Sequence, residues 1–432
     1  MSEKGDKFII DGLAGKKILK GEISVGGAKN AIMILATAVL FRDGFSVSNL
    51  PGISDVDLMI EILKKLGGQV KRSSPHNLEL KTDKINQFKL DSDLLKKLRA
   101  SIVFTGPVLA RMGEVIFTYP GGCVIGKRPI DLFLAGFKKM GAEIKEEGET
   151  FVVKAPSGKL QGAEIFFKKQ SVTATETFMM AATLAKGKTI LKNCGMEPEI
   201  VSLGEFLNEC GAKITGLGTP TITIEGGELL IGAGKKYTTI PDRIEAGSFL
   251  ILGAIAGKDL KITNCEPRYL DSLINLLRDS GVNIEVGQDY LRVKNSGKEK
   301  FMAIDIKTHE YPGFPTDLQQ PVSIFLSQAE GESFVFETIF EGRLNYLEAL
   351  GRMGVNAKIL DTHRAIIYGK TSLVGKEIES PDLRAGLAYV LAGIVASGQS
   401  VVHNVKYIDR GYEKIENRLK SLGVKIKRAP ED

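Results

Sequence analysis

The chain has no tryptophan, four histidines and four cysteines among 432 residues. Without tryptophan, and with 7% aromatic residues, it is poorly equipped as a stacking platform for single-stranded nucleic acid. Cys123, Cys194, Cys210 and Cys265 form no CxxC pair and have no histidine at zinc spacing. Disulfide and structural-metal readings are therefore poor, and a reducing compartment is the better one. His76, His309, His363 and His403 share no recurring spacing, which fits surface or core roles better than catalysis. Long apolar runs are missing too: the stretch from Ala31 to Leu40 is too short to cross a bilayer. The first residues, Met1-Ser2-Glu3-Lys4-Gly5-Asp6-Lys7, carry no signal-peptide core. The expectation is a cytoplasmic protein with no metal, no cofactor, no membrane association and no obligate protein partner. A net charge of +6 favours anionic ligands without making the chain a nucleic-acid binder.

Glycine, by contrast, is abundant and periodic. A helix-like run ending in glycine and followed by a short strand recurs six times, with Gly67, Gly141, Gly211, Gly281, Gly354 and Gly423 roughly seventy residues apart. In the first copy Val56, Met59, Ile60 and Leu63 repeat at helical spacing, Ser54 is positioned to cap, and Gly67 suits a left-handed C-terminus. An earlier helix is predicted in each copy, over 30–40, 100–110, 175–185, 245–255, 316–326 and 383–395. Each copy reads as βαβαββ. Seventy residues is long for a solenoid, so the fold class is α/β, with two closed domains of three repeats each.

Polar residues stand at the starts of these helices and differ from copy to copy: Lys29 and Asn30, Arg99, Lys169 and Ser171, Arg243 and Glu245, Asp317, and Asp382 with Arg384. Arg343 and Arg410 mark later helices. Helix N-termini present unpaired N–H groups that bind anions, and arginine adds a planar fork for phosphate or carboxylate. Any one of these could be ordinary: a lone Arg is usually solvated, and Asp317 or Asp382 could simply cap its helix. Gly26-Gly27-Ala28-Lys29 looks like a phosphate turn but lacks the GKS or GKT ending of a P-loop. In Pro120-Gly121-Gly122-Cys123-Val124-Ile125-Gly126-Lys127-Arg128-Pro129, glycines give a thiol access and two cations favour its thiolate. A buried apolar cysteine in a tight turn is the plain alternative.

Taken together, Gly26-Gly27-Ala28-Lys29-Asn30, Arg99-Ala100-Ser101, the Pro120–Pro129 stretch, Phe314-Pro315-Thr316-Asp317, Asp382-Leu383-Arg384 and Asp409-Arg410-Gly411-Tyr412-Glu413 closely resemble the enolpyruvyl transferases that act on UDP-N-acetylglucosamine. The resemblance spans nearly the whole chain. It implies two inside-out α/β domains with the active site in the cleft between them, residues 22–240 forming one and 1–21 plus 241–432 the other. The chain would cross near Gly21 and Pro241, and the domains would close on substrate.

It further implies transfer of the enolpyruvyl group of phosphoenolpyruvate to the 3′-hydroxyl of UDP-N-acetylglucosamine, by addition and elimination, in peptidoglycan synthesis. By the same resemblance Lys29, Arg128 and Arg410 would hold the phosphate and Arg343 and Arg384 the carboxylate. Asp317 would take or orient the hydroxyl proton. Cys123 would give a proton to the enol carbon and be the point of attack for fosfomycin. Asn30 would touch the sugar; Arg99, Lys169, Ser171, Val172 and Thr173 would line the nucleotide. Pro129, Ile130, Asp131, Leu132, Ile339 and Asp382 complete the implied substrate contacts. Val103, Phe133 and Thr177 depart from the family pattern. The sister enzyme 5-enolpyruvylshikimate-3-phosphate synthase is the nearest alternative, disfavoured by the cysteine loop, and a nucleic-acid-binding repeat protein is a remote one.

Overall fold

The computed structural model describes residues 5–121, 130–297 and 299–431. They form two compact units, one of residues 5–26 and 241–431, the other of 27–121 and 130–240. The strand Leu19–Ser24 pairs in parallel with Gly257–Thr263, which carries the N-terminal segment past Gly21, so the first crossing falls at Gly26 and Gly27. The second falls at Ile240 and Pro241.

The repeat is seen whole over residues 306–369. Strand Ile306–Lys307 leads through helix Gln319–Gln328 to the parallel strand Gly331–Phe336. Helix Tyr346–Arg352 then leads to the antiparallel strands Asn356–Ile359 and Arg364–Gly369. Residues 164–225 follow the same plan. Elsewhere the seams are displaced. Leu19–Ser24 supplies the first strand of the fourth repeat, Lys236–Thr238 that of the first, and Asp6–Asp11 the last strand of the sixth. In the second repeat a single parallel bridge, Lys89 to Ile116, stands where the first strand would be.

Helices occupy the inside. Arg243–Ala256 and Leu383–Val395 are buried at every residue, whereas the strands alternate buried and exposed positions. An apolar helix surrounded by half-buried sheets is the inside-out arrangement, with one hydrophobic core in each unit. The second helices end alike. All six repeat glycines have φ between 81° and 105°, where only glycine is unstrained. The residue after each returns its N–H to the carbonyl five back, as in Gly68 to Leu63 at 3.0 Å and Val424 to Leu419 at 3.2 Å.

Three predicted helices open on 3-10 turns, that of 316–326 at Thr316–Leu318. The 30–40 stretch is a 3-10 turn Lys29–Ala31, a short helix Ile34–Thr37 and another 3-10 turn Ala38–Leu40, none with a side-chain cap. The 100–110 stretch begins as 3-10 over Arg99–Phe104 before the helix Thr105–Met112. In the 30–40 and 100–110 stretches hydroxyls explain this: Thr37, Ser101 and Thr105 each donate to the carbonyl three residues back, at 2.7, 2.5 and 2.6 Å, tightening the local turn. Nor does Ser54 cap its helix; Ile53 holds that position and no side chain caps it.

Among the described residues, one buried carboxylate in the core stands without partners. Glu176, in helix Val172–Thr183, is 1% exposed and both its carboxylate oxygens are buried without a hydrogen-bond partner. Burial, with Glu199 and Glu197 nearby, pushes its pKa well above the carboxylate range. The unfolded chain loses this proton near pH 4–5, while the folded chain keeps it. Glu176 therefore lowers stability progressively as pH rises from there towards its folded pKa. Glu176→Gln is expected to raise the melting temperature by a few degrees at pH 8 and little at pH 5. An equal effect at both would count against a protonated Glu176.

Candidate active site

In the unit holding residues 241–431, two of the basic candidates, Arg343 and Arg384, meet at the Asp317 carboxylate. Asp317 lies in the 3-10 turn Thr316–Leu318, just before helix Gln319–Gln328, with no capping bond. Its Oδ1 accepts from Arg343 Nη2 at 2.9 Å and its Oδ2 from Arg384 Nη2 at 2.9 Å. Helix capping, the plain reading of this residue, is thus set aside. The two guanidiniums hold the Asp317 carboxyl far below its ordinary range despite partial burial.

Neighbours orient both arginines. Arg343 Nη1 donates to Thr316 Oγ1 at 2.7 Å, and that hydroxyl donates to Glu337 Oε2 at 2.8 Å. The other oxygen of Glu337 accepts the backbone N–H groups of Ile339 and Phe340 at 2.9 and 3.1 Å. Arg384 Nη1 donates to the hydroxyl of Tyr412, a fully buried ring two residues beyond Arg410, at 2.8 Å. Asp382 does cap: its Oδ1 accepts from the N–H groups of Arg384 and Ala385 at 2.8 and 3.0 Å. Arg343 Nε is buried and has no acceptor. Each guanidinium thus has one Nη on Asp317 and the other on a neutral hydroxyl, Thr316 or Tyr412, and such planar forks suit a second carboxylate or phosphate.

The other unit carries the remaining candidates. Lys29 opens its 3-10 turn and places Nζ 2.6 Å from Oδ2 of fully buried Asp55, on helix Ser54–Lys65. The turn before it requires glycine at Gly27, where a Cβ would lie 1.7 Å from the Asn49 carbonyl oxygen. Arg99 donates Nη1 to the carbonyl of Pro120 at 3.2 Å, beside the cysteine stretch. Ser171 caps helix Val172–Thr183 through Ala174 N–H at 3.2 Å. Thr173 accepts the Thr177 hydroxyl through its carbonyl at 2.7 Å. Asn30 and Leu132 are half-buried, Lys169 and Asp131 exposed, and Ile130 buried. Val103, Phe133 and Thr177, the positions expected to differ from the family pattern, are all buried in this unit. Cys123, Arg128 and Pro129 lie outside the described residues.

Sequence reasoning missed Asp55, Glu337 and Tyr412 as partners of these side chains. Tyr412 was within reach, since it stands in the Asp409–Glu413 phrase. Glu337 carried no local signal. Among the described residues no cluster of His, Cys, Asp or Glu is arranged to hold a metal ion, and no helix is long and apolar enough to cross a membrane.

The fold of interior helices and its sequence both have counterparts among known proteins. Residues 13–419 match the model of the family described as EPSP synthase (3-phosphoshikimate 1-carboxyvinyltransferase), and the chain belongs to that family of enolpyruvyl transferases. Within it, the chain is 42% identical to a UDP-N-acetylglucosamine 1-carboxyvinyltransferase of Klebsiella pneumoniae over 98% of this chain and 99% of that one. It is 43% identical, over the same shares, to the protein of that name from Yersinia pestis. Its fold is similar to the enolpyruvyl transferase NikO of Streptomyces tendae, with TM-score 0.87, 20% identity and 99% and 100% of the two chains covered. It is also similar to an EPSP synthase of Acinetobacter baumannii, with TM-score 0.70, 18% identity and 98% and 100% covered.

Proposed function

We propose that this protein transfers the enolpyruvyl group of phosphoenolpyruvate to the 3′-hydroxyl of UDP-N-acetylglucosamine, in the cytoplasm, and releases phosphate. The observation that carries the reading is the 42–43% identity, over nearly full length, to relatives bearing that name. The shikimate-3-phosphate enzyme shares the family model, but the likeness to the Acinetobacter baumannii EPSP synthase is one of fold, at 18% identity.

In this reading the hydroxyl oxygen bonds to C2 of phosphoenolpyruvate while C3 gains a proton, giving a tetrahedral intermediate. The C2–O bond to phosphate then breaks as C3 loses a proton. Asp317 is the group for the hydroxyl proton, and Cys123 the donor to C3. Lys29, Arg128 and Arg410 take the phosphate, and their charge stabilises it as it leaves. Held between two arginines, Asp317 is a weak base. The substrate carboxylate competes for Arg343 and Arg384, drawing them from Asp317 and restoring its basicity when the acceptor hydroxyl needs it. Asn30, Arg99, Lys169 and Ser171 are the sugar-nucleotide side in the same reading.

The test is phosphate release from phosphoenolpyruvate with each acceptor. Release is expected with UDP-N-acetylglucosamine and not with shikimate-3-phosphate. The reverse preference would move the protein to the sister activity, and release with neither would sink enolpyruvyl transfer.

A further inference from the structure

Arg428 lies on the strand Lys425–Pro430, opposite Phe8 of Asp6–Asp11, with its guanidinium 5.1 Å from the Phe8 ring. It donates through Nη1 and Nη2 to the two oxygens of Asp409 at 2.9 and 2.7 Å. Nε and Nη2 reach the two oxygens of Glu416 at 3.0 and 3.2 Å, and Nη1 reaches Asp6 at 3.1 Å. Asp409 closes the short helix Val405–Ile408, and Glu416 stands in the first turn of Ile415–Ser421. One guanidinium therefore grips both ends of the loop that carries Arg410.

That loop is not a low-energy turn by itself. Lys414 has φ of 43°, a left-handed conformation that costs a non-glycine residue about 1 kcal/mol. Its middle is tied by Tyr412, whose hydroxyl accepts from Arg384. A single exposed ion pair would hold such a loop weakly. Here a planar fork meets one carboxylate bidentately and spans to a second, with Glu416 only 10% exposed. Asp409 is the residue next to Arg410, so any loosening there passes directly to the catalytic cation.

We propose that Arg428 is a positioning residue for Arg410, acting through Asp409 and Glu416 rather than by touching substrate. This rests on the reading above that Arg410 holds the phosphate of phosphoenolpyruvate. The test compares Arg428→Gln, Asp409→Asn, their double variant and Asp6→Asn by steady-state kinetics in both substrates, with thermal melts alongside. Arg428→Gln and Asp409→Asn are each expected to raise KM for phosphoenolpyruvate on the order of 10-fold to 100-fold, as a misplacement of about 1 Å does. KM for UDP-N-acetylglucosamine stays unchanged, and the double variant is no worse than the worse single one.

Asp6→Asn removes a carboxylate outside the loop and leaves both KM values alone. Equal rises in both KM values, additive effects, or an Asp6→Asn variant that mimics Asp409→Asn would overturn the proposal. If Arg428→Gln does not fold, Asp409→Asn against Asp6→Asn decides alone. Arg410→Lys separates the two levels. If it leaves KM for phosphoenolpyruvate intact, the underlying assignment of Arg410 fails. If it raises that KM while Asp409→Asn does not, only the positioning role of Arg428 fails.

Discussion

Asp317→Asn is expected to lower kcat by about two to four orders of magnitude, the range a positioned general base contributes. The amide keeps the shape but neither takes a proton nor neutralises Arg343 and Arg384, which are 3% and 4% exposed in their side chains. Asp317→Ala should also destabilise the protein, by about 3 kcal/mol. Breaking a buried pair costs roughly 3–5 kcal/mol, and the 24% exposure of the Asp317 side chain puts this case at the lower end.

The pH dependence has a definite sign. Because the folded pKa of Asp317 is depressed, its stabilisation is present above the unfolded value of about 3.9 and is lost only as pH falls further. In the free enzyme Asp317 is therefore ionised throughout pH 5–8, and an acid limb of kcat/KM in that range comes from another group. An Asp317→Asn variant keeping a tenth of the parent kcat would remove Asp317 from proton transfer. Pre-steady-state phosphate release, with melts to verify folding, makes the measurement.

A comparably large contrast is expected among the four thiols. Cys194, Cys210 and Cys265 are free and buried, and burial pushes each up to about 11. At pH 7.5 about 0.03% of such a thiol is thiolate, against roughly 10% for an ordinary one, so reactivity is reduced some 300-fold before access is counted. Cys123 stands in sequence among Gly121 and Gly122, which favour access, and Lys127 and Arg128, which favour the thiolate. An electrophile such as fosfomycin or iodoacetamide should add once per folded chain, at Cys123, and abolish turnover. Intact-mass and peptide mapping read this directly. A first adduct on any of the other three, or full activity after labelling at Cys123, would refute it.

These two groups also mark what the sequence could and could not disclose. The six helix ends were legible because a left-handed position needs glycine and the requirement is local. The candidate residues at helix starts were legible because a polar residue breaks an apolar run. Partnerships were not. Arg384 lies 67 residues from Asp317, and Glu337 joins Thr316 from the far end of another strand, so no spacing encodes either contact. The repeat seams were hidden for the same reason. Which strand fills a sheet position is decided by pairing, and the N-terminal strands serve repeats hundreds of residues away. Nor did helical spacing disclose the 3-10 turns around Thr37, Ser101 and Thr105, since hydroxyl competition acts within a pattern that still reads as helix.

The strand Asp6–Asp11, held between Gln399–His403 and Lys425–Pro430, has a consequence for biogenesis. It leaves the ribosome long before the two strands it pairs with have been made. At about 5–20 residues per second the wait is roughly 20–80 s. Meanwhile residues 27–240 emerge complete and can close their own sheets during translation. Phe8 and Ile10, wholly enclosed in the finished molecule, stay wet throughout. The part of the protein that assembles the aspartate and its arginines is thus the last to be sealed, and its earliest strand is a natural client for a chaperone.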